Sequence, residues 1–229
     1  MPDVAAFDFD GTLTEGGSLF DFLAAVTDRA TVTAASVALA PRLAHAALAG
    51  GDVADRTKEL LFLRVLAGVD AAHLDQVSQR FADQHLAANL REDVGRRFDW
   101  HRRRGDRVVI VSASPGCYVQ AAGDRLGADA VIATRLEVAD DGTLTGRYQG
   151  KNCRGEEKLR RLQQWIGELH GPADDGRPAP RLWAYGNSRG DLRMLHAAHI
   201  GVNVGRLGPI SRLRAFPGLD NTQTLRPGD

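Results

Sequence analysis

The chain has 229 residues, 43% of them hydrophobic, and 29 Lys plus Arg balance 29 Asp plus Glu. That length builds one good core, or one core carrying a smaller insert, but not two full-sized domains. A formal charge of zero sets up no field toward nucleic acid, so no nucleic-acid partner is expected, and two cysteines without CxxC spacing, Cys117 and Cys153, fit reduced thiols and no zinc site.

The opening "MPDVAAFDFD" has acids where a signal peptide needs a basic region and an apolar stretch, so a cytoplasmic protein is expected. Val4–Phe9 reads as the first strand, interrupted by Asp8 and Asp10, whose ionised groups need a partner or a metal. From Glu15 to about Arg96 no strand pattern shows. "RTKELLFLRVLAG" and "AAHLDQVSQRFADQHLAANL" place apolar residues at three- and four-residue spacing, which predicts a helical insert over 15–96 between core segments 1–14 and 97–229. Gly50-Gly51 and Gly68 mark helix ends within it. The apolar stretch Thr31–Ala49 is broken by Pro41, Arg42 and His45, so it is read as helices of a soluble protein. Its alanine- and leucine-rich face leaves contact with a membrane surface open, though not expected.

Beyond the insert, "HRRRGDR" (His101–Arg107) reads as a solvated helix end. Short apolar runs then recur at Val108–Ser112, Ala130–Ala133, Leu182–Gly186 and Ile200–Val204, mostly separated by helical patterns. Two alternating runs around Asp141-Gly142 predict a hairpin, and "GEEKLRRLQQWIGEL" predicts an amphipathic helix. "HGPADDGRPAP" reads as a loop, and the stretch from about Ser211 as a loosely held tail. His196 and His199 could share a helix face, but no carboxylate spacing makes them a metal motif. The fold class expected is α/β, a doubly wound parallel sheet with helices on both faces and the helical insert.

Three predicted strands end in polar groups: "DFDGTLT", "VSASP" and "YGNSRGD". In a parallel sheet such ends share one edge, so Asp8, Asp10, Ser112, Asn187 and Asp191 can converge although they are distant in sequence. "DFDGTLT" resembles the first signature, DxDxT, of the haloacid dehalogenase superfamily, a group dominated by magnesium-dependent phosphatases with an aspartate nucleophile. "VVIVSAS" resembles its second signature and "YGNSRGDLRML" its fourth. "GKNCRGEEKLRRL" is similar to the third in the phosphoserine-phosphatase-like branch, subfamily IB, which places that lysine at Lys158. Lys151, seven residues earlier and also following glycine, is the competing lysine.

The resemblance implies a Rossmann-like core, a cap at 15–96 that reads the leaving group, Mg2+, and a small phosphorylated substrate. The sequence leaves the oligomeric state undetermined. A divalent cation would neutralise phosphoryl oxygens and let the Asp8 carboxylate approach in line, forming an aspartyl phosphate. Asp10 would protonate the leaving oxygen and then deprotonate water. Thr12 would hold the turn, Ser112 would donate to a phosphate oxygen, and Lys158 would add positive charge.

The metal would rest on Asp8, the Asp10 carbonyl, and Asn187 or Asp191. Asn187 stands where the branch usually has aspartate, which costs one negative charge; alternatively it caps a helix starting near Ser188. Glu15 is either a substituted substrate ligand or a surface acid. Arg56 and Lys58 either face an anionic substrate or lie on a solvated helix face. Two other functions fit the same residues: a phospholipid or lysophospholipid phosphatase at a membrane, and a catalytically weakened binding protein.

Overall fold

The computed structural model describes residues 2–170, 179–205 and 215–219. Most of the loop expected after His170, and the tail from Ser211 apart from 215–219, lie outside the described residues.

The apolar run at the N-terminus forms β1 (Val4–Phe7), all four residues buried, as a strand covered on both faces requires. After it come α1 (Leu19–Val26), α2 (Arg29–Ala38), α3 (Ala40–Ala49), α4 (Gly51–Val65), α5 (Ala71–Asn89) and α6 (Glu92–Arg104). The core resumes with β2 (Arg107–Pro115), α7 (Gly116–Leu126) and β3 (Ala130–Thr134). A hairpin of β4 (Leu136–Val138) and β5 (Leu144–Tyr148) follows, then α8 (Glu156–His170), β6 (Leu182–Gly186), α9 (Leu192–Ala197) and β7 (Ile200–Asn203).

Five parallel strands pair in the order β3-β2-β1-β6-β7. Alternate residues face opposite sides of the sheet. Ala5, Phe7, Val108, Ile110, Trp183 and Tyr185 join one core cluster, which also takes in Phe98 of α6 and Val119 of α7. Val4, Ala6, Val109, Val111, Leu182 and Ala184 join a second, with Leu162 of α8 and Met194 of α9. The sheet is thus doubly wound, as the alternation of strand and helix patterns predicts.

β1 stops two residues short of its expected end. Past Phe7 the chain turns, with Thr12 N donating to Phe9 O at 3.2 Å and Gly11 at φ +74°, so Asp8 and Asp10 leave the ladder at the sheet's C-terminal edge. Strand order reverses between β1 and β6, the switch point where open α/β sheets bind ligands.

Between β1 and β2 the chain is helical; α6 runs across residue 96 and packs on the sheet, its Phe98 ring 5.2 Å from that of Phe7. The hairpin leaves the sheet and packs at the end of α4, bonding the segment just after it: Gly68 N donates to Leu144 O at 2.9 Å and Leu144 N to Val69 O at 2.8 Å. Gly146 makes this approach possible. Its φ is +76°, and a Cβ there would fall 2.6 Å from Leu63 Cα. The stretch Thr31–Ala49 forms most of α2 and α3, bent by 73°. Among the described residues no single helix is long and apolar enough to cross a membrane.

"HRRRGDR" is not wholly solvated: His101 is fully buried, with Nδ1 2.7 Å from Asp106 Oδ2 and Nε2 2.8 Å from the Tyr185 hydroxyl. A charge run hides such a residue because the helix face turned to the sheet interrupts it only once. The histidines near the C-terminus share no site either: α9 ends at Ala197, the His196 ring packs 4.8 Å from Phe216, and His199 Nδ1 accepts from Leu182 N at 3.0 Å.

Candidate active site

The switch point gathers groups from β1, β2, α8 and the loop after β6. Lys158, in the first turn of α8 and 1% exposed, sends Nζ to Asp8 Oδ1 at 2.8 Å and to Asp191 Oδ1 at 2.6 Å. Lys151 is exposed on the preceding loop. Thr12 Oγ1 donates to Asp8 Oδ2 at 3.1 Å, so it orients the carboxylate itself rather than the turn's backbone. Both Asp8 oxygens are therefore held.

Burial of two carboxylates, Asp8 and Asp191, and one lysine sets the electrostatics. Burial and the neighbouring Asp191 push Asp8 up to about 7, against the opposing pull of Lys158. Burial works to lower Lys158, but the charges of Asp191 and Asp8 outweigh it and hold the ammonium above its ordinary value. The cluster is a buried ion-pair network.

Asp10, two residues past Asp8, is half-buried. Its Oδ1 accepts from Ser18 N at 2.8 Å and its Oδ2 from Ser114 Oγ. Ser18 Oγ in turn lies 2.7 Å from the Tyr118 hydroxyl. Ser112 is 1% exposed and its Oγ accepts from Ser114 N at 3.0 Å. The sequence reading singled out Ser112 and missed Ser114. The signal was there in "SAS", since residues two apart on a strand share a face.

Asp191 and Asn187 divide the fourth cluster. Asp191 Oδ2 accepts from Asn187 N at 3.2 Å, Ser188 N at 2.9 Å and Ser188 Oγ at 2.7 Å, while Oδ1 takes Lys158. Asn187 caps no helix, because α9 begins at Leu192. Its Oδ1 is buried without a hydrogen-bond partner. Gly11 lies against the same amide: a Cβ there would fall 1.9 Å from Asn187 Nδ2.

The donor chemistry suits a hard divalent cation, which prefers carboxylate, carbonyl and amide oxygens. An orphaned amide oxygen and the raised Asp8 carboxylate are the two features that such an ion would relieve.

Two clefts flank the cluster. One, about 880 Å³, is lined by Asp55, Arg56, Lys151, Arg154 and Arg189. The other, about 980 Å³, is lined by Gly11, Glu15, Arg91, Asn187 and Gly205. Glu15 and Arg56 are exposed on these rims, outside the buried cluster. Lys58 instead turns inward, its Nζ 2.5 Å from Ala113 O, between Ser112 and Ser114.

The family model of the haloacid dehalogenase-like hydrolases matches residues 5–196. Protein CicA of Caulobacter vibrioides is 36% identical over 202 residues, covering 86% of this chain and 83% of its own length. The phosphoserine phosphatase of Halobacterium salinarum is 32% identical over 205 residues, 88% of this chain and 85% of that protein. A solved phosphoserine phosphatase, captured as an analogue of its phospho-aspartyl intermediate, superposes with a TM-score of 0.60 at 20% identity, over 89% of this chain and 86% of that one.

Proposed function

The chain belongs to the haloacid dehalogenase-like hydrolase family and is a phosphatase, and from that premise we propose that it hydrolyses a small phosphorylated metabolite through an aspartyl phosphate on Asp8, with Mg2+ as cofactor. The observation that carries this reading is the fixation of both Asp8 oxygens, by Lys158 and Thr12, beside the unpartnered Asn187 Oδ1.

Mg2+ would rest on Asp8, the Asp10 backbone carbonyl and Asn187 Oδ1, and when bound would neutralise the phosphoryl oxygens that otherwise repel a carboxylate. The chain's own groups do the rest. Asp8 attacks phosphorus as the bond to the leaving oxygen breaks, and the Asp10 carboxyl gives that oxygen a proton. Asp10 then takes a proton from the water that opens the acyl phosphate, which releases inorganic phosphate and restores Asp8. Ser112 donates to a phosphoryl oxygen from the end of β2, Ser114 keeps its proton on Asp10 Oδ2, and Lys158 offsets the charge that builds around Asp8. Helices α1–α5 serve as the cap, with the β4–β5 hairpin as its buttress on α4.

Purified protein with Mg2+ is expected to release phosphate from a generic aryl phosphate, and Asp8→Asn to abolish that release. Unchanged turnover in the variant removes Asp8 as nucleophile. A phosphorylated-metabolite screen then identifies the leaving group.

A second reading, a phospholipid substrate, is favoured by exposed apolar side chains of the helical segment: Phe20 is 49%, Val37 69% and Leu48 81% exposed. Co-sedimentation with liposomes separates the two, since a soluble-metabolite phosphatase stays in the supernatant.

A further inference from the structure

Lys58 makes a second polar junction beside the site that the reaction above does not use. It lies on α4, in the helical segment, and its Nζ reaches into the core to Ala113 O at 2.5 Å and Asn152 Oδ1 at 3.3 Å. Ala113 sits where β2 departs from regular pairing with β3, between Ser112 and Pro115. Thr134 Oγ1 lies 2.7 Å from the same carbonyl and 2.7 Å from the same amide oxygen. Asn152 Nδ2 points the other way and donates to Asp55 Oδ1 at 2.7 Å. The chemistry of these neighbours fixes that amide: an ammonium needs its oxygen and a carboxylate needs its NH2 group. α4 therefore grips the core through two side chains three residues apart, and one of them lands on the carbonyl between Ser112 and Ser114, the latter bonded to Asp10.

We propose that Lys58 is a positioning residue, which from the helical segment fixes the Ala113 carbonyl and so the irregular end of β2 that presents Ser112 and Ser114, fully only while its ammonium is charged. The catalytic consequence rests on the phosphatase reading above; the clamp itself does not.

The surroundings make that charge conditional. Burial lowers the Lys58 ammonium to about 8, opposed by Asp55 on its own helix and by Asp10 after β1, and Arg154 lowers it further. The other titratable groups around it are Cys153, beside Asn152, and Tyr148 on β5, whose ring centroid lies 5.9 Å from Nζ. Burial pushes both of these up, so they stay neutral near pH 8. The Phe62 ring, 5.4 Å away, adds attraction for the cation but no titration.

The sign separates this role from a structural one. A lysine whose folded value lies below its ordinary value binds fewer protons folded than unfolded, so its contribution to stability rises with pH above about 8. The charge-assisted bond to Ala113 weakens over the same range. Activity falls there while folding stability does not.

The test compares wild type, Lys58→Met and Lys58→Arg by kcat and KM from pH 6.5 to 9.5, by urea unfolding, and by amide hydrogen exchange at Ala113 and Ser114. Wild-type kcat is expected to drop about tenfold above pH 8, the difference between a charge-assisted and a neutral hydrogen bond, without loss of stability. Lys58→Met is expected to show the low kcat already at pH 7, no alkaline limb from this group, and faster exchange at Ser114. Lys58→Arg is expected to restore kcat and hold it to pH 9.5. Wild-type kcat and exchange in Lys58→Met overturn the proposal, and so does a rise in KM alone, which means that Lys58 contacts substrate. Should wild type release no phosphate while exchange at Ser114 quickens in Lys58→Met, the phosphatase reading fails and the clamp stands.

Discussion

Asp191 Oδ2 accepts a hydrogen bond from the backbone N of Asn187 at 3.2 Å, and this contact holds the loop after β6 while Asn187 Oδ1 stays without a partner. With Lys158 on Oδ1 and three donors on Oδ2, Asp191 has little acceptor capacity left for a cation. The acid builds the loop, and on the reading proposed above the Asn187 amide oxygen, four residues earlier and without a partner, would meet the ion.

Metal affinity follows from that division. Asn187→Asp adds one negative charge at the ligand position and is expected to tighten Mg2+ about tenfold, whereas Asn187→Leu weakens it by about tenfold or more. Titration calorimetry with MgCl2 measures both. Equal affinity in all three proteins would transfer the ligand role away from Asn187.

Gly11 holds the approach of the two loops. Its φ is +74° and an added Cβ would lie 1.9 Å from Asn187 Nδ2, so Gly11→Ala displaces the amide or the Asp10 turn. The expected cost is about 1–3 kcal/mol of stability and roughly 10²-fold in kcat/KM, because displacement of about 1 Å is enough to spoil in-line geometry. Gly17, with open space where its Cβ would be, is the control: Gly17→Ala is expected to change neither quantity much. Steady-state kinetics and urea midpoints decide it, and full activity in Gly11→Ala would contradict the close approach.

Acid sensitivity has a source away from the chemistry. Burial lowers His101, opposed by its hydrogen bond to Asp106, and the ring also meets the Tyr185 hydroxyl. Its folded value lies below the ordinary value of about 6.5, so the folded state binds fewer protons. The stabilisation from neutral His101 is complete above about 6.5 and is lost as pH falls through the folded value. Urea midpoints are expected to fall from pH 7 to pH 5, and less steeply in His101→Gln. Parallel pH curves for the two proteins would remove His101 as the cause.

The local features came through the sequence because their causes are local. A run such as "RVVIVSAS" lacks polar alternation because both faces of its strand are covered, and Leu182–Gly186 is a strand with the bounds its apolar run marks. "LFLRVLAG" repeats at helical spacing because one face of α4 is buried, and Asp8 and Asp10 announce themselves as charges against an apolar strand. Other features depend on neighbours distant in the chain. The hairpin at Asp141-Gly142 is visible in its turn residues, but its docking on α4 through Gly146 and Leu63 is not.

What the sequence determined, then, was periodicity and chemistry: strands, helices, and which carboxylates, serine and lysine stand at strand and helix ends. Tertiary structure decided which of two lysines meets Asp8, that Asp191 braces the loop while the Asn187 oxygen stays free, and that Lys58 turns inward. The reason is that a hydrogen bond depends on distances of about 3 Å between groups far apart in the chain, as with Lys158 and Asp8, 150 residues apart. Spacing along the chain carries no record of such a contact until the sheet has assembled around it.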